Sequence, residues 1–204
     1  MKNKNLIIIF TRNPELGKVK TRLAKTIGNI AALNIYNLLL EHTEKTIRNI
    51  NSDKAVYYSE SINNSDIWKN EIYQKHQQIG ADLGERMLHA FQEAFQNKYK
   101  KIVIVGSDLI DLKEKHLLQA FQELEQNDIV IGPAKDGGYY LLGMKTLQPQ
   151  VFKNKQWGTD AVFKDTMKDL KFLKTHLLEP LNDIDTFKDL QASSILNKII
   201  ELND

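Results

Sequence analysis

The chain has 204 residues, of which 42% are hydrophobic and 26% are charged. These values predict a packed, soluble core in one domain, with room for at most a small subdomain. The formal net charge of +2 is too small to predict a nucleic-acid partner. Because cysteine is absent, disulfides, thiolate metal sites and a cysteine nucleophile are excluded.

The sequence has no pattern typical of membrane insertion or export. Its longest apolar run is far shorter than the roughly 20 residues that a membrane helix needs. The basic start, residues 1–5, is followed by only a short apolar run without a small-residue cleavage site. We therefore predict a cytoplasmic protein with no signal peptide and no membrane span.

Apolar runs of strand length alternate with segments of helical periodicity. In chain order, the predicted elements are a strand at 6–10, a helix at about 30–49, strands at 54–59 and 72–79, a helix at about 85–97, a strand at 102–109, a helix at 113–125, strands at 128–133 and 139–143, a helix ending near 170, a strand at 172–177 and a helix at about 186–200. This alternation predicts an α/β fold: a three-layer α/β/α sandwich around a mostly parallel sheet. We expect a single domain over residues 1–204, because no repeat or linker interrupts them.

The central strand, at 102–109, is apolar, rich in β-branched residues and ends in a small-residue turn with Asp108. Such a run is typical of a strand buried on both faces. Ligands of open α/β sheets bind at the carboxyl ends of strands, where Asp108 stands. Asp108 is not needed as a helix cap, because Asp111 with Glu114 has the capping pattern. We therefore interpret Asp108 as a functional residue.

The loop after the first strand is rich in cations. Around a glycine that allows a tight turn, Gly17, stand Arg12, Lys18, Lys20 and Arg22. Such loops, with their backbone N–H groups, are typical phosphate sites, and arginine can bind phosphate with two hydrogen bonds. The segment is neither a P-loop nor a dinucleotide fingerprint, since it lacks their further glycines. A solvated basic turn is the alternative, but the position after a buried strand favours a polyphosphate site.

A second loop, at 78–86, joins a weak strand to an amphipathic helix. Its candidate substrate contacts are Gln78, Asp82, Gly84 and Arg86. Asp82 followed by Glu85 is also a complete capping box, and the sequence favours neither role. The glycines of this loop would let a flat ligand approach the backbone.

Acidic residues in three loops are candidate metal ligands. Asp108 facing a polyphosphate would bind a divalent ion, since Mg²⁺ prefers one or two carboxylates plus phosphate oxygens. Asp136 and Asp185 are the candidates for a second ligand. Asp136 also suits a plain turn, and the last helix has alternative caps in Asp183, Asp185 and Thr186. The five histidines form no His-x-x-x-His pair, which argues against zinc.

Several segments together resemble glycosyltransferase-A-like nucleotidyl- and glycosyltransferases. The most specific are Pro14-x-x-Gly17-x-x-Lys20-Thr21-Arg22-Leu23-Ala24 and Gly132-Pro133-Ala134-x-Asp136-Gly137-Gly138-Tyr139-Tyr140-Leu141-x-Gly143. The others are Gly80-x-Asp82-Leu83-Gly84-x-Arg86-Met87, Gly106-Ser107-Asp108, Trp157-Gly158-Thr159 and Asp183-Ile184-Asp185-Thr186. The chain resembles in particular a bacterial subfamily labelled glycosyltransferase and linked to arsenosugar biosynthesis, which is related to the guanylyltransferases of molybdenum cofactor and phospholactate.

The resemblance implies a glycosyltransferase-A fold of the nucleotide-diphospho-sugar transferase type. It implies a nucleotide-binding half at about 1–110 with a metal-binding acid, Asp108, and an acceptor half at about 111–204. The implied acceptor region includes Gly137, Gly138, Tyr139, Tyr140 and Trp157. The chain lacks the Asp-x-Asp pair that is usual after the central strand of glycosyltransferases.

These features predict a metal-dependent transferase with a nucleotide donor and a small-molecule acceptor. Lys20 and Arg22 would stabilise charge on the phosphates, and Asp108 would hold Mg²⁺ or Mn²⁺ to orient them. The cation-rich loop favours nucleotidyl transfer from a nucleoside triphosphate, whereas the family label favours glycosyl transfer from a nucleotide-diphosphate sugar. Both stay open, because fold alone does not fix function.

Two rival interpretations are a degenerate nucleotide-binding module without catalysis and a scaffold whose loops are only turns. The sequence leaves the base, the sugar and the acceptor open. It is also compatible with a homodimer, because four apolar residues fit a core or an interface equally well: Leu38, Leu39, Phe91 and Phe95.

Overall fold

The computed structural model describes residues 5–193 and contains a seven-stranded sheet. The strands are β1 (Asn5–Thr11), β2 (Asp53–Tyr58), β3 (Gln74–Gln77), β4 (Lys101–Gly106), β5 (Ile129–Pro133), β6 (Tyr139–Met144) and β7 (Thr175–Leu177). The helices are α1 (Thr21–Ile27), α2 (Asn29–Ile47), α3 (Leu83–Gln96), α4 (Glu114–Glu123), α5 (Val162–Asp169) and α6 (Phe187–Ala192), with a 3-10 helix at Pro149–Phe152.

The strand order across the sheet is β3-β2-β1-β4-β6-β5-β7. Neighbouring strands are parallel, except that β6 runs antiparallel to both β4 and β5. All strands other than β6 therefore end at the same edge of the sheet. The prediction of a mostly parallel sheet is confirmed.

Side chains of β1 alternate between two apolar cores. Ile7 and Ile9 pack on one face with side chains of α2 and α4, whereas Leu6 and Ile8 pack on the other face with side chains of α3. Burial of both faces explains why the strand is a continuous apolar run. The prediction of a three-layer α/β/α sandwich is confirmed.

Two predictions about helix starts are wrong. Helix α1 occupies part of the segment predicted to be loop, and Gly28, with φ of 84°, separates it from α2. Helix α4 begins at Glu114 with Lys113 as its N-cap, so Asp111 does not cap it. The backbone N–H of Lys113 donates to His116 Nδ1 at 3.1 Å. A histidine nitrogen thus does what the carboxylate of a capping box usually does.

The end of the chain follows the prediction in part. The strand predicted at 172–177 is shorter and covers Thr175–Leu177. The helix predicted at 186–200 begins at Phe187, and its predicted part beyond residue 193 lies outside the described residues.

The four apolar residues that fit a core or an interface lie in the protein's own core. Leu39 and Phe91 are fully buried, and Leu38 and Phe95 pack partly buried against the same clusters. They therefore give no argument for a dimer. None of the helices within residues 5–193 has the length and apolar character needed to cross a bilayer.

Candidate functional site

The loops that follow β1, β3, β4, β5 and β7 meet at the carboxyl edge of the sheet. Because these strands are parallel to one another, their end loops converge on one region, as in other open α/β sheets. A cavity of about 720 Å³ lies there, in the range typical of small-molecule sites. The predicted site residues that line it are Arg12, Lys20, Arg22, Gln78, Asp82, Arg86, Asp108, Asp136 and Asp185.

Lys20 joins two other loops through ion pairs. Its Nζ donates to Asp108 Oδ2 at 2.9 Å and to Asp185 Oδ1 at 3.1 Å, and its side chain is only 4% exposed. Burial by itself would lower the pKa of Lys20, but the two carboxylates raise that pKa above its usual value. Lys20 has φ of 47° at the N-terminus of α1, a left-handed conformation that costs a non-glycine residue about 1–2 kcal/mol. The ion pairs of the Lys20 side chain with Asp108 and Asp185 therefore offset the strain of the Lys20 backbone.

Asp108, Asp183 and Asp185 form a carboxylate cluster, with one oxygen from each within 4.8 Å of the others. Burial raises the pKa of Asp183 to about 7, and the charges of Asp108, Asp136 and Asp185 add to this effect. Burial would also raise the pKa of Asp108, but Lys20 holds it below its usual range. Lys20 thus offsets the negative charge of Asp108, whereas Asp183 lies in an excess of negative charge.

The cluster includes one of the two sequence candidates for a second metal ligand. Asp185 belongs to it, whereas Asp136 does not join any such cluster among residues 5–193. Sequence reasoning treated Asp183 chiefly as a helix cap, but Thr186 caps α6 by accepting from the backbone N–H of Asp189. Ile184, between the two acids, is fully buried. In the sequence, an apolar residue between two acids was the signal that could have pointed to this pair of carboxylates.

A buried hydroxyl network fixes the start of the first loop. Tyr36 Oη accepts from the backbone N–H of Arg12 at 2.9 Å and donates to the Arg12 carbonyl at 3.1 Å. The same hydroxyl lies 3.2 Å from Thr11 Oγ1 and 3.5 Å from Ser107 Oγ. Because Ser107 precedes Asp108, the network connects the ends of β1 and β4. Sequence reasoning missed Tyr36, since a tyrosine on the buried face of a long helix gives no sign of its hydroxyl's partners.

Gln78 and Arg86 hold the second loop in place. Gln78 Nε2 donates to the carbonyls of Thr11 at 3.3 Å and Tyr57 at 2.9 Å. Gln78 Oε1 accepts from Arg86 Nη1 at 3.4 Å, and Arg86 Nε donates to the Gly80 carbonyl at 3.1 Å. The amide of Gln78 is therefore used within the protein, and only part of the Arg86 guanidinium remains for a ligand.

Asp82 combines the two roles that the sequence left open. Its Oδ1 accepts from the backbone N–H of Glu85 at 2.8 Å, so it caps α3. Glu85 Oε2 accepts from the backbone N–H of Ala81 at 2.8 Å. Asp82 also lines the large cavity.

A smaller pocket of about 180 Å³ adjoins the large cavity. Its walls include four residues of the predicted acceptor region, Gly138, Tyr139, Tyr140 and Trp157. The rings of Tyr139 and Trp157 meet edge to face, with centroids 6.5 Å apart. The acidic residues that line both spaces are Asp108, Asp136 and Asp183. The carboxylates therefore lie at the boundary between the two cavities.

Two predicted site glycines serve close packing. A Cβ on Gly84 would lie 2.5 Å from the Phe152 carbonyl oxygen and 2.6 Å from Trp157 Nε1. A Cβ on Gly137, which has φ of 93°, would lie 2.4 Å from the Asp160 carbonyl oxygen. Neither glycine lines either cavity; Gly84 instead positions the indole that forms the pocket wall.

Gly17 and Lys18 also lie outside the lining of both cavities. Lys18 is exposed and pairs with Glu15 at 2.7 Å, while Gly17, with φ of 77°, provides the turn that the sequence predicts. Since Lys20 is engaged by the carboxylate cluster, the loop presents fewer unpaired cations to a ligand than its sequence suggests.

The family described as "Uncharacterized protein conserved in bacteria (DUF2064)" matches residues 42–159. The chain belongs to this family. A solved structure of a proposed nucleotide-diphospho-sugar transferase from Desulfovibrio desulfuricans G20 is 33% identical to this DUF2064 protein, with a TM-score of 0.87 over 97% of this chain and 89% of that chain. No curated protein matches the chain.

Two more distant solved structures share the fold of this DUF2064 protein. The 4-diphosphocytidyl-2C-methyl-D-erythritolsynthase from Anaerococcus prevotii DSM 20548 is 12% identical, with a TM-score of 0.61 over 95% of this chain and 96% of that chain. Rv0371C from Mycobacterium tuberculosis H37Rv, in complex with manganese, is 12% identical, with a TM-score of 0.56 over 94% and 98%. The predicted nucleotide-diphospho-sugar transferase fold is confirmed.

Proposed function

We propose that this protein is a metal-dependent transferase that binds a nucleotide donor in the large cavity and a small-molecule acceptor in the small pocket. The observation that carries the proposal is that the two cavities adjoin at Asp108, Asp136 and Asp183. A group passing from one ligand to the other would pass these carboxylates. The 33% identical relative, itself a proposed nucleotide-diphospho-sugar transferase, supports the same class of activity.

The donor phosphates would bind the guanidinium groups of the first loop. Arg12 and Arg22 both line the large cavity. Arg22 is 68% exposed, and its nearest carboxylate oxygen, on Asp185, is 3.8 Å away, so most of its donors remain available for bidentate contacts. Lys20, buried beside the cluster, would stabilise charge that develops on the leaving phosphate.

The carboxylate cluster fits Mg²⁺ or Mn²⁺. Asp108, Asp183 and Asp185 supply the hard oxygen ligands that these ions prefer. Burial and then the neighbouring carboxylates raise the pKa of Asp183, and a divalent ion would neutralise the charge of these carboxylates. These three residues would hold the ion, and Asp136 would stay outside its ligand set. The bound ion would offset charge on the donor phosphates and leaving group.

Glycosyl transfer from a nucleotide-diphosphate sugar is the reaction that the site supports best. Lys18 and Lys20, which favour a triphosphate at the level of sequence, are both engaged by carboxylates. The cations of the first loop that remain, Arg12 and Arg22, suit the lower charge of a diphosphate. Nucleotidyl transfer is the second candidate, favoured by Arg86, which adds a further guanidinium to the same cavity.

The experiment that tests the proposal follows donor consumption and product release in the presence of Mn²⁺ and a panel of acceptors. Release of a nucleoside diphosphate from a sugar nucleotide indicates glycosyl transfer, and release of pyrophosphate from a triphosphate indicates nucleotidyl transfer. Asp108→Asn, which removes a charge at nearly constant volume, should abolish either release. Nucleotide binding without release from any donor would instead indicate the non-catalytic module, and no response to nucleotide or metal would indicate a scaffold.

A further inference from the structure

We infer that the small pocket takes a compact alcohol that bears no negative charge, and that Asp136 binds its reacting hydroxyl. The inference rests on the proposed function, because it assumes that an acceptor is used. It adds the chemical class of that acceptor and the residue that receives the hydroxyl proton.

The first support is the charge of the pocket wall. Among the residues that the structure describes, acidic side chains line the pocket but no lysine, arginine or histidine does. A phosphate or carboxylate on the acceptor would have no cationic partner there and would lie near Asp136. Burying a charge without a partner is strongly unfavourable. A divalent ion at Asp108 and Asp183 would not change this, because the donor phosphates would already balance its charge.

The second support is the size and polarity of the pocket. Its volume of about 180 Å³ is close to that of an engineered cavity of about 150 Å³ that holds benzene. Leu83, Leu109 and Val162 supply apolar surface. Tyr139 Oη and Trp157 Nε1 are buried, so these rings offer carbon surface, not donors, to the pocket. The wall suits an uncharged body about the size of a six-membered ring.

The third support is the position of Asp136 at the boundary of the two cavities. Its Oδ1 accepts from the backbone N–H of Gly138 at 2.9 Å, which fixes the carboxylate on its turn. Within residues 5–193, Asp136 lies outside the cluster of three carboxylates and lines both cavities. Its second oxygen is therefore placed to accept a hydrogen bond from a hydroxyl that faces the donor.

The step that follows is balanced in atoms and charge. The acceptor oxygen forms a bond to the transferred carbon of the sugar. The bond from that carbon to the donor phosphate breaks, and its electron pair leaves with the nucleoside diphosphate. The hydroxyl proton passes to Asp136, as in general base catalysis.

The acceptor class is tested by ligand-observed NMR on the full chain with charge-matched probes. The probes are glycerol against glycerol 3-phosphate, and cyclohexanediol against cyclohexane carboxylate. We expect the uncharged member of each pair to bind at least tenfold more tightly. Thr159→Arg, an exposed change at the pocket wall, should remove this preference, whereas Thr159→Gln should retain it. Equal binding of the anionic members to the unchanged protein would overturn the inference.

A parallel titration with nucleotide-diphosphate sugars separates this inference from the proposed function. If the nucleotide-diphosphate sugar binds but the uncharged probes are not preferred, only the inference about the acceptor class is overturned. Probe preference without donor binding would overturn the proposed function, and the acceptor role with it.

The role of Asp136 is tested separately by Asp136→Asn, since the asparagine side-chain oxygen can still accept the hydrogen bond from the backbone N–H of Gly138. This change should lower kcat by about 10²–10⁴-fold and leave donor affinity unchanged. An unchanged kcat, or an equal loss of donor affinity, would show that Asp136 does not act on the acceptor.

Discussion

Lys20 and Asp108 are 88 positions apart in the sequence, yet Lys20 Nζ and Asp108 Oδ2 lie 2.9 Å apart. The contact joins the loop after β1 to the end of β4. Asp185 adds the loop before α6 through its own contact with Lys20 at 3.1 Å. One buried ammonium group therefore connects the proposed phosphate loop to two of the three proposed metal ligands.

Replacing Lys20 by methionine keeps the apolar stem but removes this ammonium group. Asp108 and Asp185 would lose their partner, and the metal-free protein should become less stable by about 1–3 kcal/mol. The loss should be below that of a fully buried pair, because the two carboxylates are 36% and 42% exposed. Mn²⁺ should restore more stability to the variant than it adds to the unchanged protein. Denaturant titrations with and without Mn²⁺ measure both effects.

Lys18→Met is the matched control, since Lys18 lies two residues away and pairs with Glu15 on the surface. It should change the free energy of unfolding far less than Lys20→Met does and leave the response to Mn²⁺ unchanged. Similar losses in both variants would argue against a special role for the buried pair.

Asp183→Asn should stabilise the metal-free protein at pH 8. The pKa of Asp183 is raised from 3.8 to about 7 by burial and by the neighbouring carboxylates. The folded protein therefore holds this proton more tightly than the unfolded chain. The resulting stability is fully present below about pH 4 and is lost as the pH rises through about 7. Removing the charge should raise Tm at pH 8 by roughly 2–6 °C.

The same substitution should raise Tm by less at pH 5, where folded Asp183 is mostly protonated and only the unfolded carboxyl has lost its proton. Thermal melts in the presence of a chelator at the two pH values give the comparison. An equal shift of Tm at pH 5 and pH 8 would contradict the proposed charge excess at Asp183.

Tyr36→Phe should weaken donor binding from a distance. The change removes the hydroxyl that hydrogen-bonds both the N–H and the carbonyl of Arg12. A buried N–H group left without a hydrogen-bond partner costs about 1–3 kcal/mol. Since Arg12 lines the large cavity, we expect roughly tenfold weaker donor binding by calorimetry.

Tyr73→Phe provides the control for Tyr36→Phe. Tyr73 is also buried, and its hydroxyl donates to Glu44 at 3.4 Å away from the cavity lining. This variant should lose stability without loss of donor affinity. Equal affinity losses would show that the effect of Tyr36 is general destabilisation.

The sheet and the location of the site could be predicted from the sequence because both depend on local patterns. Apolar runs gave the strands, and the ends of parallel strands placed Lys20 and Asp108 in the same region. The antiparallel direction of β6 was also available, since the connection at 134–138 is too short for a parallel crossover. That signal was missed.

The detailed partners in the site could not be predicted in the same way. The double pairing of Lys20 depends on three loops whose separation in space no local pattern reports. Gly84 looks like a ligand glycine in the sequence, but the indole of Trp157 occupies the space a Cβ would fill, and Trp157 is far away in the chain. Pairwise contacts of this kind arise only when the whole fold is assembled.

The most direct test of the account is thermal stabilisation by nucleotide-diphosphate sugars and nucleoside triphosphates, each with and without Mn²⁺, for the unchanged protein and for Asp108→Asn. A ligand at about a hundred times its Kd adds roughly 2.7 kcal/mol, or about 5–10 °C in Tm for a chain of this size. We predict stabilisation by a sugar nucleotide that depends on Mn²⁺ and is lost in Asp108→Asn. No shift with any nucleotide, or the same shift in Asp108→Asn, would contradict the account.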